Sequence, residues 1–247
     1  MYSISILKLQ DCITIREAEV GRLDKFKYLN DNLIDLQIKL DIAESELKDQ
    51  VYAFSCLFIP KLTEQKSYNY SLVARWTNKV NLWSKDFVFI PINEDIHWSL
   101  ITVVRPGLCL SSDPINDDDH QPCLLVMDSL GMHDPVKFSK IIKNYLVDEY
   151  GARSSIGGTM KHTHGELEEI SKRIRAMKYY RVPLPRQRNG YDCGVYVIKY
   201  LRYVLETNPS STQNDIALNF NNSFKNNRFN QSDINYEREE IRRTILE

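Results

Sequence analysis

An excess of charge of either sign is what this 247-residue chain most plainly lacks: 32 Lys and Arg stand against 33 Asp and Glu, a formal net charge of −1. That balance argues against a nucleic-acid binder that depends on bulk positive charge. Cysteine is scarce. Its five copies, an odd number without metal-type spacing, fit free thiols in a reducing compartment. No apolar run is long enough to span a bilayer, and neither end reads as a signal peptide. There is no internal repeat. What the chain does have is 43% hydrophobic residues, enough to fill a sizeable core in one large or two modest domains.

One stretch combines the scarce residue with a demanding setting. Gln187-Arg188-Asn189-Gly190-Tyr191-Asp192-Cys193-Gly194 runs into an apolar segment with Val197, Ile198, Leu201, Val204 and Leu205 at helical spacing. The pattern predicts a mostly buried helix that starts close to Cys193. A thiol at a helix N-terminus meets the positive end of the backbone dipole, which favours the nucleophilic thiolate. A core cysteine packed as a small hydrophobe is the competing reading. Cys12, Cys56, Cys109 and Cys123 lack this helix-mouth setting and read as packing or surface residues.

A nucleophilic thiolate needs a base, and the base needs a group to orient it. Of the five histidines, His120, His162 and His164 lie in polar stretches that read as loops, and His133 follows a Ser-Leu-Gly-Met turn. The His162/His164 pair has no third ligand nearby and makes a poor metal site. His97 differs. It stands between Phe87–Ile92 and Trp98–Val104, two runs that read as strands joined by a turn at Asn93-Glu94-Asp95. Asp128 follows the short apolar strand Leu124-Leu125-Val126-Met127. A carboxylate there is placed to accept a ring N–H, hold one tautomer and favour the imidazolium; it could equally cap the turn.

Together, His97-Trp98-Ser99-Leu100, Asp128-Ser129-Leu130 and Gln187-x-Asn189-x-x-Asp192-Cys193-Gly194 resemble the catalytic signature of the Ulp/SENP-type SUMO proteases, in that family's order of His, Asp, Cys. The likeness extends along the chain from about residue 12 to the end. Tyr28-Leu29-Asn30-Asp31-Asn32-Leu33-Ile34 resembles the family's "WLND-x-x-I" segment, and Leu57–Leu62 its strand-to-helix "FFY-x-KL" element. Arg75-Trp76-Thr77-Asn78-Lys79-Val80-Asn81 is similar to "RWT-x-x-V-N", and Ile234–Leu246 to the closing amphipathic helix.

The resemblance implies an α+β, papain-like cysteine protease fold: a central mixed or antiparallel sheet flanked by helices, with the nucleophile at a helix N-terminus. It implies cleavage after the Gly-Gly of a ubiquitin-like modifier. Cys193 would be the nucleophile, His97 the general base and later acid, Asp128 its orienter, and Gln187 an oxyanion donor with the Cys193 backbone N–H. Trp98 would wall the tunnel for the Gly-Gly tail, Tyr28 stands where the family has a Trp lid, and Asp31 matches a position that contacts basic residues of the modifier. Asn30-Asp31 also reads as a helix N-cap. No metal or organic cofactor is implied.

The expected partners are SUMO or another ubiquitin-like modifier and its conjugates, without nucleic acid or membrane, for a monomer in the nucleus or cytoplasm. A Nedd-like modifier and a non-catalytic modifier-binding pseudoprotease are the alternatives. Along the chain, residues 1–247 read as a single catalytic domain, beginning with a strand and loop over 1–30. A helix is expected near 31–48, a strand over Val51–Phe58, sheet strands at 87–92, 98–105 and 123–128, and a helix at about 135–150. Loop insertions are expected at 111–122, 153–177 (carrying a charged helix around Glu166–Arg175) and 208–232. The insertion before Cys123 also resembles the branch associated with poly-SUMO chain editing.

Overall fold

The computed structural model describes residues 2–6, 11–64, 67–111, 121–156, 163–207 and 229–246. An antiparallel hairpin of β1 (Tyr2–Ile6) and β2 (Asp11–Ile15) precedes the main sheet. That sheet has five strands in the order β3 (Val51–Ala53), β4 (Phe87–Glu94), β5 (His97–Val104), β6 (Cys123–Met127) and β7 (Lys178–Arg181). Its three central strands are antiparallel, whereas β3 and β7 pair in parallel at the two edges.

Both faces of the sheet are covered, so its central strands are apolar at nearly every position instead of alternating with polar residues. Successive side chains still go to opposite sides. Phe87, Phe89, Leu100, Leu125 and Met127 join one core; Val88, Ile90, Ile101, Leu124 and Val126 join the other. The short helix α1 (Glu17–Val20) leads to α2 (Asp31–Glu44), and the chain then passes through α3 (Phe58–Leu62), α4 (Pro135–Ile156), α5 (His164–Ala176), α6 (Cys193–Thr207) and α7 (Gln231–Leu246). Helices α2, α6 and α7 cover the first face, and α3, α4 and α5 the second. Full burial of each such Leu, Ile or Phe contributes about 1.5–3 kcal/mol.

Several elements depart from their expected limits, each for a local reason. The strand predicted to run to Phe58 stops at Ala53. Asp35 of α2 takes the Ser55 hydroxyl at 2.6 Å and the Cys56 N–H at 2.8 Å, which draws the chain off the sheet. Phe54 and Phe58 then stack 3.8 Å apart as the chain enters α3. The β4–β5 turn is not Asn93-Glu94-Asp95 but Asp95-Ile96, both left-handed at φ 53° and 61°. Two such residues suit the twist of a tight hairpin, and they extend β5 back to His97. Strand β7 was not expected, because its Lys178-Tyr179-Tyr180-Arg181 carries the charged ends typical of an exposed edge.

The expected insertions also change character. Residues 153–156 close α4, and most of 163–177 is α5, whose Ile170 and Ile174 are buried against α4. The charged helix expected around Glu166–Arg175 is thus present and packed, and residues 157–162 of this insertion lie outside the described residues. Residues 112–120 and 208–228 of the other two lie outside the described residues, while Gln231 and Ser232 belong to α7.

Candidate active site

Three segments deliver their ends to one place. His97 is the first residue of β5, Asp128 directly follows β6, and Cys193 opens α6, which packs on β5. Because β5 and β6 are antiparallel with Leu100 opposite Met127, the start of one strand lies beside the end of the other. His97 Nε2 is 2.6 Å from Asp128 Oδ1, and both side chains are almost fully buried.

The carboxylate is held on every side. Oδ1 accepts the N–H groups of Leu130 at 3.0 Å and Gly131 at 2.9 Å, and Oδ2 accepts that of His133 at 2.9 Å. Gly131 makes this wrap possible with a φ of 70°, which glycine adopts without strain. Burial works against the charge on Asp128, but the His97 ring and these N–H groups outweigh it and hold its pKa well below the ordinary carboxylate range. Burial likewise disfavours a charged His97; the hydrogen bond to Asp128 and the neighbouring Cys193 thiol overcome that and raise its pKa to about 9. In the neutral ring, with Nε2–H donating to the carboxylate, the free lone pair is on Nδ1. Nδ1 is buried and has no partner at hydrogen-bond length among the described residues.

Cys193 is 1% exposed. The Asp192 carbonyl accepts the N–H groups of Val195 at 2.9 Å and Tyr196 at 3.0 Å, so the helix begins at the cysteine itself. The first N–H groups of a helix have no carbonyl partner within it and favour negative charge. Gly194 answers a different demand. A β-carbon there would lie 3.0 Å from both Ile34 Cδ1 and Leu29 Cβ, a tight contact, so glycine lets α2 and the preceding segment close on the helix mouth without displacing either side chain. Gln187 is buried nearby: its Oε1 accepts from Ser129 Oγ at 2.5 Å and its Nε2 donates to the Asn189 carbonyl at 2.7 Å. A primary amide has two N–H bonds, so one remains to be aimed elsewhere.

Tyr28, Asp31 and Trp98 meet in a cleft of about 430 Å³ that Ile96, Leu57 and Arg22 also line. Trp98 is 5% exposed and forms its floor with the core, whereas Tyr28 is 41% exposed. A β-carbon on Gly190 would sit 4.0 Å from the Tyr28 hydroxyl, which places that ring against the loop leading to Cys193. Asn30 caps α2 by accepting the Leu33 N–H at 3.3 Å, and Asp31 is the first helical residue. A larger cleft, about 590 Å³, lies beside Asp41 and Arg202 and contains none of the predicted site residues.

The structure therefore brings His97, Asp128, Gln187 and Cys193 to one pole and Tyr28, Asp31 and Trp98 to the cleft beside it. Reading by residue type misses Ser129, which orients Gln187, and His133, which by sequence reads only as following a turn. His133 is buried, with Nδ1 2.6 Å from Ser99 Oγ and Nε2 3.2 Å from the Glu94 carbonyl. Its Nε2–H must donate to that carbonyl, which leaves Nδ1 to accept from the serine. Burial lowers its pKa, so it stays neutral beside the His97 ring, 4.7 Å away. The available signal was spacing alone: His133 falls five residues after Asp128. Ligand atoms of His97, Asp128 and His133 lie within 4.8 Å of one another, yet both His133 nitrogens and His97 Nε2 already hold hydrogen bonds within the protein.

Comparison with known proteins adds an independent line. Residues 27–240 match the Ulp1 protease family, C-terminal catalytic domain. A probable ubiquitin-like-specific protease 2B of Arabidopsis thaliana is 29% identical over 96% of this chain and 26% of its own length. Sentrin-specific protease 2 of Mus musculus is 30% identical over 83% of this chain and 31% of its own length. The chain thus spans about a quarter to a third of the curated relatives it matches. A crystal structure of a de-sumoylating protease shares the fold, with a TM-score of 0.72 and 22% identity over 99% of this chain and 89% of that one.

Proposed function

Because this chain belongs to the Ulp1 protease family, we propose that it is a cysteine-type peptidase and isopeptidase that cleaves after the C-terminal Gly-Gly of a ubiquitin-like modifier. SUMO is the modifier to which its His97-Trp98, Asp128-Ser129-Leu130 and Asp192-Cys193-Gly194 signatures point. The match over residues 27–240 supports reading the chain as one catalytic domain. The observation that carries the reading is the buried His97: bound to Asp128 through Nε2, its Nδ1 lies beside Cys193 with no other partner among the described residues.

In the proposed reaction Nδ1 takes the Cys193 proton, and the thiolate attacks the carbonyl carbon of the terminal glycine. The oxyanion gathers the spare Gln187 N–H and the Cys193 backbone N–H, donors that are already in position as charge develops. The imidazolium then protonates the leaving amine, the C–N bond breaks, and a thioester to Cys193 remains. Water, deprotonated at the same Nδ1, attacks the thioester and restores the thiol. Asp128 stays ionised throughout and holds the ring in the tautomer that both proton transfers require. The thiolate–imidazolium pair supplies nucleophile and proton, so no metal or cofactor enters.

Recognition falls to the cleft. A Gly-Gly tail has no side chains to grip, so selection rests on a passage that admits only bare backbone, between Trp98 and Tyr28. Asp31 at its rim offers a carboxylate to a basic residue of the modifier. The chemistry requires a reduced thiol and thus the nucleus or cytoplasm; Cys56, Cys109 and Cys193 are free thiols. Among the described residues no helix is long and apolar enough to cross a membrane.

The test is a panel of modifiers, each fused through Gly-Gly to a reporter, together with tail probes that carry a thiol-reactive end. Cleavage of the SUMO fusion and probe attachment at Cys193 are expected. Preference for a Nedd-like fusion would change the modifier. Binding without cleavage or labelling would make the chain a non-catalytic modifier-binding domain and overturn the proposal.

A further inference from the structure

Arg238 lies in the last helix, α7, far along the chain from every residue with a proposed role, yet its guanidinium reaches three separate segments. Its Nε and one terminal nitrogen donate to Asp192 Oδ1 at 3.0 and 2.6 Å. The same terminal nitrogen reaches the Lys27 carbonyl at 2.8 Å and the Tyr191 carbonyl at 3.2 Å, and the other donates to the Arg22 carbonyl at 3.1 Å. Arg238 and Asp192 are 3% and 1% exposed. The opposite oxygen of Asp192 accepts from Asn189 at 2.7 Å and from Gln231, also of α7, at 2.8 Å. Phe26 closes the junction with its ring edge against Tyr191, 5.3 Å between centroids.

These contacts have a common sense. Asp192 forms the peptide bond to Cys193, and its carbonyl starts α6; Lys27 forms the peptide bond to Tyr28. We propose that Arg238 is a positioning residue that holds the nucleophile peptide and the tail-covering segment in one geometry, so that α7 is part of the working site. A planar fork with several fixed donors suits this role, and an ammonium cannot reproduce it. If the ion pair served only to attach α7, its two charges could sit anywhere along the helix face. Instead the guanidinium lies between the two segments that must close on the substrate tail.

Two arms test this in the whole chain, and only the first rests on the function proposed above. Arg238→Lys keeps the charge and loses the fork; Arg238→Met removes both; Asp192→Asn loosens the nucleophile side alone. With a Gly-Gly fusion as substrate, Arg238→Lys is expected to lower kcat roughly 10- to 100-fold through misplacement of reacting groups, and to raise KM as the cover loosens. Asp192→Asn is expected to lower kcat and leave KM within about twofold. The second arm needs no activity. Hydrogen exchange in Arg238→Lys should quicken together at residues 22–30 and 189–196 while β4 and β5 keep their protection. Should Arg238→Met fail to fold, Arg238→Lys still decides the matter. Folded Arg238→Lys with wild-type kcat and KM, or exchange that rises in α7 alone or uniformly across the protein, would overturn the proposal. If no fusion is cut even by wild type but the two segments still loosen together, the function reading fails and the coupling stands.

Discussion

The pole with Cys193 and the cleft with Tyr28 are adjacent but built in opposite ways. At the pole nearly every polar atom is committed: Asp128 accepts four hydrogen bonds, Gln187 is held at both ends, and Asp192 is gripped by three side chains. In the cleft, Tyr28, Leu57 and Ile96 are 41%, 53% and 75% exposed. Ile96 is moreover a β-branched residue in a left-handed conformation, an uncommon and strained placement. Reacting groups must be fixed before the substrate arrives, since reorganisation during reaction would cost rate. A surface that recognises a tail must instead keep apolar area uncovered, so that burying it on binding provides affinity.

That contrast predicts that changes at the pole act on kcat and changes in the cleft on KM. The largest effect is expected from Cys193→Ala, which should leave no measurable turnover while binding of the modifier tail, measured by calorimetry, persists. Release of free modifier at near wild-type rate by this variant would end the covalent mechanism.

Next comes Asp128→Asn, with a fall in rate on the order of 10³-fold from loss of the ring's orientation. Its pH profile carries the sharper information. In the wild type the imidazolium proposed to protonate the leaving amine persists up to the raised His97 pKa of about 9, where the alkaline limb should fall. Without the carboxylate that limb should move toward the ordinary histidine value. Stability follows the same sign. A raised histidine pKa stabilises the fold fully below about 6.5, and this contribution fades as pH rises through about 9. The depressed Asp128 acts oppositely, stabilising above the ordinary carboxylate range and losing that effect as pH falls. Chemical denaturation across pH should show the alkaline loss in the wild type and not in Asp128→Asn.

A smaller effect is expected at the proposed oxyanion donor. Gln187→Ala should lower kcat roughly 10²–10³-fold with little change in KM, the pattern of a bond strongest in the transition state. Ser129→Ala, which frees one end of the same amide, should give the same pattern at lower amplitude. A rise in KM alone would move Gln187 into recognition and blur the division.

The mildest and most discriminating change is in the cleft. Tyr28→Ala should weaken tail binding roughly 5- to 150-fold, as expected for an aromatic contact on the order of 1–3 kcal/mol, with kcat retained. Tyr28→Trp should bind as well or better. Unchanged affinity with a lower melting temperature for Tyr28→Ala would make Tyr28 a structural residue and leave Trp98 as the only aromatic wall.

How far the sequence carried this description depends on the range of the interactions involved. The helix at Cys193, the strands on either side of His97 and the strand into Asp128 were legible because hydrophobic periodicity and turn residues are local. The edge strand β7 was not, since Lys178–Arg181 is held extended by its parallel pairing with the distant β6. Nor was the early end of β3, which Asp35 causes from a residue 20 positions upstream of Ser55.

Residue types in order, read with the family likeness, determined which side chains are proposed to carry the chemistry: a cysteine at a helix mouth, a histidine and an aspartate at strand ends, and a glutamine just upstream. Which atom of each faces which partner was decided by the tertiary structure alone. Only the packed structure leaves His97 Nδ1 without another partner among the described residues, turns the Gln187 amide on Ser129, and brings Arg238 across 46 residues to Asp192. Such arrangements depend on the register of β5 against β6 and on the closure of α2 and α7 over α6. They arise from contacts between distant segments, which local spacing does not encode.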